Sequence, residues 1–115
     1  MRKNDLPVVD MDCSATEMIH RMTRGGLGLI VICDGERIEG IVTDGDLRRA
    51  MESRQAEFFN IKAIDIASRS PKSINVNAKL IDAEKMMTQY KVNSLLATDD
   101  EGRLQGVIQI YDIKL

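Results

Sequence analysis

Aromatic side chains are almost missing from this chain: among 115 residues there is no tryptophan, and two tyrosines and two phenylalanines make up 3%. Single-stranded nucleic acid is held by stacking platforms beside a basic groove, and a net charge of −2 on top of so few rings supplies neither. No nucleic-acid partner is expected. Cysteine is scarce too. Cys13 and Cys33 are too few and too far apart for a zinc site, and the expectation is two free thiols in a reducing compartment. The single histidine, His20, lies off the apolar stripe of its segment with no carboxylate or nucleophile beside it in sequence, so acid–base catalysis has no candidate. Asp44-Gly45-Asp46 hints at calcium, but the long acidic loop closed by a bidentate glutamate is lacking, and no metal site is expected. No apolar run approaches the roughly 18 residues of a membrane helix, and Met1-Arg2-Lys3-Asn4-Asp5 lacks the apolar core of a signal peptide. The expectation is a cytoplasmic chain with no membrane partner.

What is present suits one compact module of alternating short strands and helices. Leu6-Pro7-Val8-Val9 reads as a strand that Pro7 confines to an edge or a strand start. Ser14-Ala15-Thr16-Glu17 fits a capping box, and Ala15, Met18, Ile19 and Met22 form one apolar face over two turns. Arg24-Gly25-Gly26 stops that helix. Leu27 to Cys33 is the continuous apolar run of a buried strand, Asp34-Gly35 turns the chain, and Arg37 to Val42 returns as the second arm of a hairpin. After the polar stretch 52–57, the segment from Phe58 to Ala67 is apolar enough to pack and predicts a short helix. The pattern then repeats. Ser73-Ile74 reads as a strand, Leu80, Ala83, Met87 and Tyr90 as a helix face, and Val92–Thr98 with Arg103–Ile110 as a hairpin around Asp99-Asp100-Glu101-Gly102. The methionines Met11, Met18, Met22, Met51, Met86 and Met87 read as adaptable packing.

The two halves align residue by residue. An offset of 65 pairs Met22 with Met87, Thr23 with Thr88 and Asp34 with Asp99; one extra turn residue raises it to 66, pairing Arg37 with Arg103, Gly40 with Gly106 and Asp46 with Asp112. A period that long in two copies predicts two similar packed halves rather than a solenoid.

The chemistry concentrates at Gly40-Ile41-Val42-Thr43-Asp44-Gly45-Asp46-Leu47-Arg48-Arg49, where an apolar strand ends and a helix begins, with Leu47, Ala50 and Met51 at helical spacing. A helix start offers unpaired N–H groups and a positive dipole end to an anion or a hydroxyl-rich ligand. Thr43 can donate or accept, and an ionised Asp46 accepts two O–H donors at once, as a ribose diol supplies. The competing reading is that Thr43 or Asp44 caps the helix and Asp46 complements its dipole. Gly25-Gly26-Leu27-Gly28 allows a ligand to approach the backbone, although a helix C-cap explains the first two glycines equally well.

Two strand–helix–strand–strand–helix units, each carrying Gly-apolar-x-Thr-x-x-Asp, resemble the CBS domain pair, or Bateman module. The signature is Gly40 to Asp46 in the first unit and Gly106-Val107-Ile108-Gln109-Ile110-Tyr111-Asp112 in the second. The string Thr43 to Arg49, with Gly26-Leu27-Gly28 ahead of the hairpin, is similar to the C-terminal module of arabinose 5-phosphate isomerases, in which a sugar isomerase domain precedes the pair and serves Kdo synthesis. The resemblance implies an α+β fold of two βαββα-type units with pseudo-twofold symmetry, a first unit at 1–54, and a linker with the second unit at 55–115. It implies that this is a non-catalytic fragment, cut at the start of its first unit, of a longer isomerase, and that the pair forms a homodimer. Ligands in that family sit in the cleft between units, which carries over to Thr43 and Asp46 on a ribose, with Asp44 and Gly28 beside them. Arg48 and Arg49 become phosphate partners, Lys3 and Asn4 lid contacts, and Asp112 a lesser candidate because Gln109 replaces the threonine of its signature. The implied effector is an adenine or cytidine nucleotide, and feedback logic makes CMP-Kdo a candidate. The rival function is a structural oligomerisation module that binds nothing.

Overall fold

The structure is a computed structural model and is described for residues 1–112. Its order is β1 (Val8–Val9), α1 (Ala15–Gly25), β2 (Leu29–Asp34), β3 (Arg37–Thr43) and α2 (Asp44–Arg54), a 3₁₀ segment Gln55–Asn60, and α3 (Ala63–Ile66). Then follow β4 (Ser73–Asn75), α4 (Leu80–Tyr90), β5 (Ser94–Thr98), β6 (Leu104–Gln109) and a 3₁₀ turn Ile110–Asp112. The described residues divide into two compact units, one of Pro7–Ser70 and one of Met1–Leu6 with the residues from Pro71 to Asp112, termed here the first and second units.

Each unit holds a three-stranded sheet, ordered β1-β2-β3 in the first and β4-β5-β6 in the second. The register repeats at the sequence offsets. Val8 pairs in parallel with Val31 and Ser73 with Leu96, the antiparallel hairpins place Ile32 opposite Gly40 and Ala97 opposite Gly106, and both ladders slip immediately after that pair. Pro7 is tolerated as expected at the start of an edge strand, where its carbonyl still accepts from Val31 N–H at 2.8 Å. The inserted residue lies in the second hairpin turn, where Asp99 accepts from the backbone N–H groups of Glu101 and Arg103, both at 2.9 Å, and from Arg103 Nε at 2.8 Å. The Arg103 backbone N–H above all, reinforced by its guanidinium, holds the Asp99 carboxyl below its ordinary range.

The helices begin and end for local reasons. Ser14 Oγ accepts from Glu17 N–H at 3.2 Å at the start of α1, and Gly26 closes it in the left-handed conformation with its N–H on Met22 O. In α4 the equivalent left-handed cap is Lys91, bonded to Met87 O, a conformation a side chain adopts only at some cost. Val8, Leu29 and Ser94 start strands that the sequence pattern begins two residues earlier in each case, because Leu6, Leu27 and Val92 lie in the connections, where Gly28 has φ 72° and Lys91 has φ 56°.

The first core gathers Met18, Ile30, Ile32 and Val42 with Leu47 and Ala50 of α2 and Phe58, Ile61 and Ala63 from the segment after it. That segment, read as one short helix, is a 3₁₀ stretch and a four-residue helix; Phe58 is 2% exposed. The second core is smaller among the described residues, built on Ala83, Met87, Leu95, Ala97 and Ile108. No helix among the described residues is long and apolar enough to cross a membrane.

Candidate functional site

Thr43 is the last residue of β3 and the N-cap of α2, and it forms a reciprocal capping box with Asp46. Thr43 Oγ1 accepts from Asp46 N–H at 3.1 Å, and Asp46 Oδ2 accepts from Thr43 N–H at 2.9 Å. The other carboxylate oxygen, Oδ1, accepts from Arg49 Nη2 at 2.6 Å. Thr43 and Asp46 are thus brought together as the sequence expected, and in this conformation they serve the cap. Asp44 starts α2; its backbone N–H donates to Gly28 O at 2.9 Å, and its carboxylate pairs with Arg48 at 2.7 Å. Gly28 therefore lies directly against the helix start, and its positive φ explains why a glycine occupies that turn. A cavity of about 320 Å³ is lined by Met22, Gly26, Gly28, Asp44, Leu47 and Met51 among others; Thr43, Asp46 and Arg48 do not line it.

The remaining sequence candidates belong to the second unit. Lys3 and Asn4 are exposed and fall in its Met1–Leu6 strip. Asp112 repeats half of the Thr43–Asp46 arrangement, accepting from Gln109 N–H at 2.8 Å, while the Gln109 side chain turns away to donate to Ser94 Oγ at 3.1 Å. The α-amino group of Met1 lies 3.4 Å from Asp112 Oδ1.

Gly40 and Gly106 owe their identity to a backbone neighbour that no sequence pattern revealed. Ile41 bridges Ser68 through N–H···O bonds of 3.0 and 2.9 Å, and Val107 bridges Arg2 through bonds of 3.0 and 2.9 Å, so each sheet gains a short edge partner. A Cβ on Gly40 would stand 2.6 Å from Ser68 O, and one on Gly106 would stand 2.7 Å from Arg2 O. The glycine of the signature is thus required by close approach of a second backbone. Arg69 fastens the Ser68 edge by donating to Glu39 O at 2.9 Å and pairing with the Glu39 carboxylate at 3.1 Å.

Neither thiol is set up as a nucleophile. Both cysteines are free and buried. Burial first, then the negative charges of Glu17 and Asp10, push the Cys13 thiol up to about 11, and burial with Glu39 raises Cys33. Among the described residues no group of three or more His, Cys, Asp and Glu side chains is placed to hold a metal ion.

The chain is 33% identical over 111 residues to an arabinose 5-phosphate isomerase, KpsF, of Escherichia coli O6:H1, covering 96% of this chain and 34% of that protein. It is 36% identical over 110 residues to the isomerase KdsD of Yersinia pestis, covering 95% of this chain and 33% of that protein. The chain therefore spans about a third of the length of these relatives. In fold it is similar to a CBS domain protein of Pyrobaculum aerophilum complexed with AMP, with TM-score 0.83 and 20% identity over 97% of this chain and 89% of that one. The family model for the CBS domain matches residues 1–53 and again residues 63–114, the two copies anticipated from the repeat, and the chain belongs to the CBS domain family.

Proposed function

We propose that this chain is the regulatory, nucleotide-binding CBS pair of an arabinose 5-phosphate isomerase, non-catalytic in itself and acting on a sugar isomerase domain ahead of it in a cytoplasmic protein of Kdo synthesis. The relatives' names and the one-third coverage support the parent, and the AMP complex of the Pyrobaculum neighbour supports the ligand class. The observation that carries the ligand reading is the Thr43–Asp46 pair at a strand–helix junction, a hydroxyl and a carboxylate held side by side where helix N–H groups gather. On this reading Thr43 and Asp46 hold the ribose, Asp44 and Gly28 flank it and Arg48 meets phosphate. Lys3 and Asn4 are lid contacts, and Asp112 serves a second, weaker site. A homodimer through the exposed Leu80 and Ile81 of α4 completes the proposal.

One observation favours the rival, a structural module without ligand: both Asp46 oxygens already have partners. Thermal melting with AMP, CMP or CMP-Kdo separates the two. A ligand bound only by the native state raises the melting temperature with concentration, and a flat response to all three leaves the structural reading.

A further inference from the structure

We propose that Arg49 is a built-in competitor for Asp46, a latch that a ribose must displace before the carboxylate can bind it. This rests on the nucleotide reading of the site above. A cis-diol is bound best by a carboxylate that both hydroxyls can approach, one at each oxygen. Asp46 Oδ2 gives one lone pair to the Thr43 N–H and keeps another, a contact compatible with a ligand because it belongs to the cap. Oδ1 likewise gives one lone pair, to Arg49 Nη2 at 2.6 Å, but here the donor is a side-chain guanidinium standing where a second sugar hydroxyl would approach.

The position of the guanidinium depends on a second feature. It folds back over Gly45, where a Cβ would stand 3.2 Å from Nη1 and 3.6 Å from Nη2. A side chain there would press the guanidinium aside by a few tenths of an ångström, so the bare backbone of Gly45 favours this path. The second unit has neither part: at the offset of 66, Tyr111 stands for Gly45 and Leu115 for Arg49 in the sequence. The latch therefore belongs to the unit with the complete signature. It opens at low cost, because the Arg49 side chain is 72% exposed and exposed ion pairs are weak. Its effect is to raise the apparent Kd of the ligand by the factor with which the closed pair outweighs the open one.

Calorimetric titration with adenosine, which carries the diol without a phosphate, and with AMP tests this on the unaltered chain, Arg49→Met and Gly45→Ala. Adenosine is expected to bind Arg49→Met about two- to five-fold more tightly, the range an exposed pair can withhold, and Gly45→Ala is expected to shift it in the same direction by less. Unchanged or weaker adenosine binding by Arg49→Met overturns the latch. So does a loss confined to AMP, which makes Arg49 a phosphate contact. Binding of neither ligand by any of the three proteins removes the adenine nucleotide reading, and the latch stated for it. Circular dichroism of Arg49→Met should match the unaltered chain, since the exposed side chain supports no core residue.

Discussion

In the first unit the chain leaving β3 enters an eleven-residue helix that buries Leu47 and Ala50 and is capped by Thr43 and Asp46 on each other. In the second, β6 runs into the 3₁₀ turn Ile110–Asp112, where the aspartate still takes the backbone N–H of Gln109 and the hydroxyl half of the cap is missing. The backbone half of the motif is thus common to both units, at 2.9 and 2.8 Å, and follows from the strand–turn geometry. The hydroxyl half exists only where the sequence supplies threonine. Aspartate at this position has a structural duty in both units, and the hydroxyl–carboxylate pair occurs in one.

The largest expected effect concerns the unequal cores. Phe58→Ala should cost the first unit about 3–5 kcal/mol, as for a fully buried aromatic. Urea titration reads the loss, and labelling of Cys13 and Cys33, which both lie in the first unit, reports which unit opens. A change under about 1 kcal/mol would contradict the place given to Phe58 in that core. Next come the edge contacts common to both units. Gly40→Ala and Gly106→Ala each drive a Cβ against a backbone carbonyl, and each should cost about 1–3 kcal/mol; a neutral result at either position would mean that its edge partner is not held there.

A smaller effect separates the two signatures. Thr43→Ala removes a cap and should cost about 1 kcal/mol, while Gln109→Ala leaves the backbone N–H that Asp112 accepts and should cost less. Equal costs in chemical denaturation would erase the distinction. Last is a pH effect in the first unit. Cys13 titrates near 11 in the fold against 9.0 for an ordinary thiol, so the folded state holds its proton more tightly. Its contribution to stability is complete below about pH 9 and is lost as pH rises toward 11. Iodoacetamide at pH 8 should therefore modify native Cys13 slowly and unfolded chain fast; equal rates would contradict the burial of the thiol.

Element order, the duplication and the extra turn residue were legible because periodicity, capping residues and paired glycines are local signals. The offset from 65 to 66 appears as the Asp99 turn, and Ser14, Gly26 and Thr43 cap as their chemistry suggests. The reason for Gly40 was not legible, since Ser68 approaches it from 28 residues away. Nor was the left-handed Lys91, which occupies the place where the first unit has a glycine. The expectation that Thr43 and Asp46 adjoin was met; the i,i+3 spacing on α2 allows Arg49 to pair with Asp46, but spacing alone does not choose between that pair and an arginine reaching outward. Such side-chain choices depend on the bare backbone at Gly45 and on competition between partners, which a one-dimensional pattern does not record.

The claim that the first unit carries the ligand is tested most directly by calorimetric titration of AMP into the unaltered chain, Asp46→Asn and Asp112→Asn. Asparagine keeps an oxygen for the backbone N–H and removes the charge, and hydrogen bonds to charged groups contribute about 1.5–3 kcal/mol. Asp46→Asn should weaken AMP by about tenfold or more, while Asp112→Asn changes it little. Equal losses at the two positions, or tight binding retained by Asp46→Asn, would contradict the account.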